Sequence, residues 1–338
     1  MSDASETGTA DTMRERTGRS RTTLWLLLRA DRVLLAVGLA VAVFLAFVVA
    51  VVALSPPFVQ ELGDGSPVDS IFSTMASAVV TGTTLVVTIG QVVLTQENGP
   101  LGDQHRRMSG TMDVREFTGE VIGAPAPADP AAFLRELVAA TSRRANALGE
   151  SVGRTDSDAL RREVGELTEG IVGDADLVRD RLDGARFGSF EVLFAALNFD
   201  YSRKIARIER IGADHEDRLD DDGRERLAEL KTALSLFGPA REHVKTLYFQ
   251  WALVELSQLI LVVSVPAVTV AVIMIAIVDG STFPGSTLGV ADVVFVAGAA
   301  FAVTLLPFLL FVSYLLRVLT VAKRTLAIGP LVLRDAKR

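Results

Sequence analysis

Four long apolar blocks dominate the pattern of hydrophobic and polar positions along this chain. They cover residues 33–54, 71–94, 259–278 and 293–316. Each block reaches the roughly 20 residues that a helix needs to cross the hydrocarbon core of a bilayer. The pattern therefore predicts an all-α membrane protein with four transmembrane helices, named here the first to fourth spans.

The second span carries a polar stripe along its whole length. Its members recur in alternating steps of four and three and are Ser70, Thr74, Ser77, Thr81, Thr84, Thr88, Gln91 and Thr95. This 3.5-residue repeat keeps them on one face of a helix in a left-handed bundle. A hydroxyl group in hydrocarbon needs a partner, so this face must meet another helix, a second copy of the protein, or water. Two interpretations stay open: helix packing, or the lining of an oligomeric path for ions or small solutes.

The region between the second and third spans has helical periodicity throughout. Apolar faces of four predicted helices run from 133 to 148, 160 to 182, 190 to 208 and 227 to 237. Asp129 and Gly149 are predicted to begin and close the first of these helices, and Gly184 to follow the second. Such one-sided helices with short breaks are typical of an antiparallel, coiled-coil-like bundle. From Pro239 the pattern continues into the third span without a strong breaker.

The distribution of arginine and lysine predicts the orientation of the chain. Basic residues precede the first span, follow the second, precede the third and follow the fourth, whereas the connections 55–70 and 279–292 contain none. The positive-inside rule then places both termini in the cytoplasm of a cell-membrane protein. The predicted segments are a disordered tail (1–23), spans one and two (24–95), a cytoplasmic bundle (96–250), spans three and four (251–318) and a basic tail (319–338).

Composition excludes several kinds of chemistry. The chain has no cysteine, which excludes disulfides and thiolate metal sites. Its three histidines are widely separated in sequence, which leaves little for a zinc site, and its net charge is -7. Residues 218–229 resemble a calcium loop in spacing, but Arg218 occupies its first ligand position, so a capped helix start explains them better. We expect no catalytic residue, metal site, cofactor or nucleic-acid partner. The acidic, lysine-poor composition is typical of a halophilic archaeon.

Charged and aromatic residues at the ends of the spans have generic interpretations. His105, Arg106 and Arg107 are predicted to contact anionic lipid headgroups, and Trp251 and Glu255 to anchor the third span in the interface. The outer connections carry only acidic charge, at Glu61, Asp64, Asp69, Asp279 and Asp292. These acids could concentrate cations at a pore mouth, or they follow from the positive-inside rule and the salt-adapted composition.

Two resemblances bear on function. Residues 73–77 (Ser-Thr-Met-Ala-Ser), the hydroxyl-rich remainder of the second span and residues 99–101 (Gly-Pro-Leu) resemble a family of uncharacterised prokaryotic membrane proteins, which implies no activity. The layout of four spans around a cytoplasmic helical domain is similar to that of bestrophin-type anion channels, whose aromatic neck motif the second span lacks. This second likeness is architectural only.

These patterns favour a homo-oligomeric, passive channel or channel-like protein of the lipid bilayer. The alternative is a membrane scaffold or sensor that transports nothing and whose cytoplasmic bundle binds a partner protein. A channel should conduct after reconstitution, whereas a scaffold should be electrically silent and bind its partner.

Overall fold

The computed structural model describes residues 25–27, 30–54, 66–97, 99–185, 190–278 and 282–325. These residues are almost entirely helical, which confirms the predicted predominance of helix. The helices are α1 (Arg32–Leu54), α2 (Ser66–Glu97), α3 (Leu101–Ile122), α4 (Pro130–Val152), α5 (Asp158–Leu182), α6 (Phe190–Asn198), α7 (Tyr201–Asp214), α8 (Asp221–Ile277) and α9 (Asp292–Thr325). A 3-10 turn at Glu216–Arg218 precedes α8, and a two-residue hairpin of β1 (Ser286–Thr287) and β2 (Val290–Ala291) precedes α9.

Four helices are long and apolar enough to cross a membrane. They are α1, α2, α8 and α9, and each contains one of the four apolar blocks of the sequence. The expectation of four candidate spans is therefore confirmed. The predicted tail 1–23, most of the predicted tail 319–338, and the acidic residues Glu61, Asp64 and Asp279 lie outside the described residues.

The chain divides into two compact units, which are described separately. The span unit contains Trp25–Asn98 and Gln250–Thr320, and the bundle unit contains Gly99–Phe249 with the end of α9 from Val321. The long helix α8 runs through the boundary between them without interruption. The continuation of the helical pattern from Pro239 into the third span is therefore confirmed.

The core of the bundle unit is built from α4, α5, α6, α7 and the first part of α8. The six apolar positions predicted to share a face of α5 are all buried: Leu160, Val164, Leu167, Ile171, Val178 and Leu182. Helices α4 and α5 pack along much of their length, as neighbours joined by a short loop do. Burial of these one-sided faces is what stabilises the bundle.

Polar side chains fix where several bundle helices begin. The Asp129 carboxylate accepts a hydrogen bond from the amide of Ala132 at 2.8 Å, which confirms Asp129 as the N-cap of α4. Asp220 accepts from the amide of Gly223 at 2.8 Å, so the calcium-like stretch is a capped helix start. Among the described residues no group of three His, Asp or Glu side chains could hold a metal ion.

Three predicted boundaries in the bundle are wrong. Helix α4 passes through Gly149 and continues to Val152; Gly149 lies where α4 meets α5, and a Cβ there would be 3.5 Å from Thr168 Oγ1. The predicted helix 190–208 is two helices, because the Asp200 side chain caps the new helix α7. The fourth predicted helix does not stop at Gly238 and Pro239 but continues within α8.

No separate helix was predicted for the stretch that forms α3, although the whole region was expected to be helical. Its apolar residues are spread around the helix rather than gathered on one face, so the usual signal of a packed helix is missing. Only its last residues, around Thr118, Val121 and Ile122, are buried. The rest of the helix, residues 101–117, is exposed except for the half-buried Asp103 and Arg115.

The span unit is held together by small and medium-sized apolar residues. One buried cluster draws on all four spans and includes Val51, Phe72, Ala271 and Val294. A second cluster again joins the four spans and includes Ala36, Val86, Leu256 and Leu310. Close packing of this kind, together with hydrogen bonds between helices, is what stabilises helix bundles in lipid.

Candidate functional site

Helix α2 packs against the other spans through one face. On this face Val68, Phe72, Val79 and Val86 are buried. The hydroxyl groups of Thr83 and Ser264, on α2 and α8, are hydrogen-bonded at 2.7 Å. Packing between helices of the span unit thus uses a threonine that does not belong to the polar stripe.

The polar stripe lies on the opposite face of α2. All eight of its side chains, from Ser70 to Thr95, are exposed. At about 100° per residue, Thr81 and Thr88 project about 200° away from the buried Val79 and Val86. Within the described residues, then, packing inside one chain does not cover the stripe.

Four threonines of the stripe bond back to their own helix. Their hydroxyl groups donate to carbonyl oxygens four residues earlier: Thr74 to Ser70 at 2.9 Å, Thr84 to Val80 at 2.9 Å, Thr88 to Thr84 at 3.0 Å and Thr95 to Gln91 at 3.0 Å. This bond uses the hydroxyl hydrogen and leaves lone pairs on the oxygen, which can accept a hydrogen bond. The exposed face therefore offers acceptor oxygens to water or to a second copy.

A polar network ties three spans together near one end of the span unit. The buried Arg32 of α1 donates to the carbonyl of Ser313 at 3.3 Å, and Arg317 of α9 donates to the carbonyl of Ala30 at 2.7 Å. The Glu255 carboxylate of α8 accepts a hydrogen bond from the Tyr314 hydroxyl. Glu255 is exposed but bound to the fourth span, and its predicted neighbour Trp251 is also exposed.

Sequence reasoning missed the α9 members of this network. The signal that could have found them is the position of Arg317 directly after the fourth apolar block, beside a tyrosine and a serine one turn earlier. The interfacial role expected for Trp251 and Glu255 stays a prediction.

The three residues expected to contact lipid headgroups follow one another on α3. His105, Arg106 and Arg107 are all exposed. Consecutive helix residues project about 100° apart, so the three side chains do not share one face. Arg106 also forms an ion pair with Asp103. Their contact with lipid stays a prediction.

A buried ion pair borders a groove on the bundle unit. Asp174 of α5 and Lys204 of α7 are bonded to each other, and the Lys204 ammonium lies 4.9 Å from the centre of the Phe199 ring. Burial raises the pKa of Asp174 above its ordinary value, more than the charge of Lys204 lowers it. The groove beside the pair has a volume of about 380 Å³, and Gly170 and Gly173 line it.

The sequence contained a signal for this pair that was not used. Asp174 lies three residues after Ile171 and four before Val178, on the apolar face of α5, where a carboxylate must have a partner. The sequence does not reveal that Lys204, thirty residues away, supplies it.

The chain belongs to the family of unknown function DUF7972, whose family model matches residues 1–338. No curated protein matches the chain, and no solved structure does. The match agrees with the expectation of an uncharacterised family. The specific resemblances carried by residues 73–77 and 99–101, and by the channel-like layout, stay predictions.

Proposed function

We propose that this member of the DUF7972 family is a multi-pass membrane protein that assembles from several copies into a passive channel. In the assembly the stripe of α2 from each copy lines a path for ions or small solutes. The exposure of all eight stripe residues in the single chain carries the proposal. Polar side chains on a membrane helix need a polar partner, and a shared aqueous path supplies one to every copy.

The arrangement of α2 supports this assignment in a second way. Its buried face already holds the helix against its neighbours through Val79, Val86 and the Thr83–Ser264 hydrogen bond. The opposite face can therefore meet water or a second copy without any loss of packing within the chain. The described spans carry no charged residue in their central parts, which fits passive permeation better than proton-coupled transport.

The orientation rests on the distribution of basic residues. The two connections 55–70 and 279–292 contain no arginine or lysine, whereas the other ends of the spans are flanked by basic residues. By the positive-inside rule, both termini and the bundle unit lie inside the cell. The acidic connections, including Asp69 and Asp292, then face outward. Contact of Arg106 and Arg107 with lipid headgroups belongs to the same orientation.

The second candidate function is a scaffold or sensor whose bundle unit binds a partner protein. A groove of about 380 Å³ bordered by Asp174 and Lys204 supports it, because a recess lined by charged side chains can receive a polar segment of a partner protein. Charged residues around the groove include Glu166, Arg203 and Arg207, so a partner would have to be polar. A scaffold of this kind would transport nothing.

Flux into vesicles separates the two functions. Purified protein in vesicles should carry small ions, and Thr84→Val should change the flux without unfolding the protein, because it removes an acceptor oxygen but keeps the shape. The matched control is Thr83→Val on the buried face, which should keep the flux and lose a hydrogen bond between helices worth about 1 kcal/mol. If the folded protein gives a flux no greater than that of empty vesicles, the channel proposal is contradicted.

A further inference from the structure

Residues 101–117, about the first three quarters of α3, are largely uncovered within the described part of the chain. Residues 101–117 follow the second span after three residues, and nearly all of their side chains are exposed. Three exposed apolar residues lie on one side of the helix, Leu101 at 83%, Met108 at 65% and Met112 at 56%, whereas Val114 at 48% and Phe117 at 45% lie on the other. Solvent exposure of this much apolar surface along one helix indicates an interaction surface.

The spacing of these residues is that of a helix-pairing seam. Leu101, His105, Met108 and Met112 follow one another in steps of four, three and four. Such steps place a narrow ridge on one side of a helix, suited to a parallel or antiparallel partner helix. The stripe of the second span has the same repeat, so two consecutive helices of the chain carry unpaired 3.5-residue faces.

We propose that the ridge formed by Leu101, His105, Met108 and Met112 packs against the same ridge of a second copy of this chain. The inference rests on the homo-oligomer of the proposed function, and it assigns α3 as a second contact between its subunits. Two copies related by a twofold axis present the same ridge to each other, so one ridge faces the other across the contact.

The charges around α3 fit a second copy of the chain. Four positions flank the ridge, and all four are uncharged: Gly102, Gln104, Ser109 and Thr111. Pairing of the two ridges therefore places no like charges opposite each other beside the seam. Arg106 and Arg107 project about 140° and 240° around the helix from Leu101, away from the ridge.

The same geometry disfavours a lipid surface as the occupant of the ridge. A helix that lies on a membrane needs its basic residues beside its apolar face, where they reach the headgroups. Here Arg106 and Arg107 lie on the far side from the ridge.

A seam of four residues is short, but copies already joined through their spans meet at a high effective concentration, which lets a short seam form.

Cysteine crosslinking in the full-length protein in membranes tests the proposal. The chain has no cysteine of its own, so each engineered thiol reports alone. Met108→Cys should crosslink two copies through a short bifunctional maleimide. Gly110→Cys is the matched control, because it lies about 200° around the helix from Met108 and a Cβ there meets nothing within 4 Å. We expect several-fold more dimer from Met108→Cys.

A third variant, Thr84→Cys, separates this inference from the proposed function. Dimer from Thr84→Cys but not from Met108→Cys overturns the α3 seam and leaves the oligomer around α2. Equal crosslinking of Met108→Cys and Gly110→Cys also overturns the seam. Labelling of an uncrosslinked Met108→Cys by a bilayer-partitioning reagent would mean that the ridge faces lipid, which contradicts the proposal. Absence of dimer from both Thr84→Cys and Met108→Cys overturns the seam and the oligomer together.

Discussion

At the scale of single residues, Asp174 and Lys204 form a buried ion pair in the bundle unit. Both side chains are almost fully buried, at 5% and 8% exposure. Burial raises the pKa of Asp174 despite the nearby ammonium. The effect of desolvation on the carboxylate therefore exceeds the stabilisation of its charged form by Lys204. A buried pair of this kind is costly to break but not necessarily stabilising as a whole.

We therefore expect opposite results from single and double substitutions of this pair. Lys204→Met leaves a buried carboxylate without its partner and should lower the free energy of unfolding by about 3–5 kcal/mol. Asp174→Leu combined with Lys204→Met should be close to the wild type in stability. Thermal or denaturant unfolding of the full protein in detergent measures both variants.

The pH dependence gives this prediction a further check. Since the folded state raises the pKa of Asp174 above 3.8, the folded protein holds this proton more tightly than the unfolded chain. Stability should therefore fall as the pH rises through the range just above 3.8, and the double variant should lose this component. A double variant as unstable as Lys204→Met would show that the pair itself stabilises the fold.

At the scale of elements, hydrophobic periodicity predicted helices that bury one face and missed those that do not. The face of α5 was correct at all six predicted positions, from Leu160 to Leu182. Helix α3 was missed because residues 101–117 bury no face within the chain. A helix that buries no face within its own chain leaves little trace in a pattern that is read for one core.

Helix ends were harder to predict than helix faces, since one residue type serves several roles. Gly149 looked like a helix terminus, but it lies inside α4, where a Cβ would be in ordinary van der Waals contact with Thr168 of α5. Asp200 was read as part of a continuous helix, although it caps the start of α7. Pro239 lies inside α8, where the helix continues past it. The residue type alone does not distinguish these roles.

The polar stripe of α2 shows what the sequence can and cannot reveal about a site. The repeat of four and three groups eight residues on one face, from Ser70 to Thr95, and all eight are exposed on α2. The sequence could not show that Thr83, one position away from Thr84, bonds to Ser264 and supports the buried face. Only the packing of α2 on α8 separates a structural threonine from an exposed one.

At the scale of the whole molecule, the orientation in the membrane can be tested with single cysteines. Ser286, in the exposed hairpin before α9, should react as Ser286→Cys with a membrane-impermeant maleimide in intact cells. Asp156 lies exposed in the loop between α4 and α5, so Asp156→Cys should react only after lysis. Ser157 is unsuitable because its hydroxyl caps α5. Reaction of Asp156→Cys in intact cells would reverse the orientation.

The central claim is that the exposed stripe of α2 faces an aqueous path in the assembled protein. Cysteines at Thr81, Thr84 and Thr88 can be compared with cysteines at two control positions of the same helix. Val86 lies on the buried face, and Ile89 is exposed on the flank, about 100° around the helix from Thr88.

The most direct measurement is the rate at which a small hydrophilic thiol reagent modifies each of these cysteines in the folded oligomer. Thr81→Cys, Thr84→Cys and Thr88→Cys should react, whereas Val86→Cys should be protected by packing and Ile89→Cys by lipid. Stripe cysteines as unreactive as Ile89→Cys would contradict the aqueous path and leave the scaffold as the function of this protein.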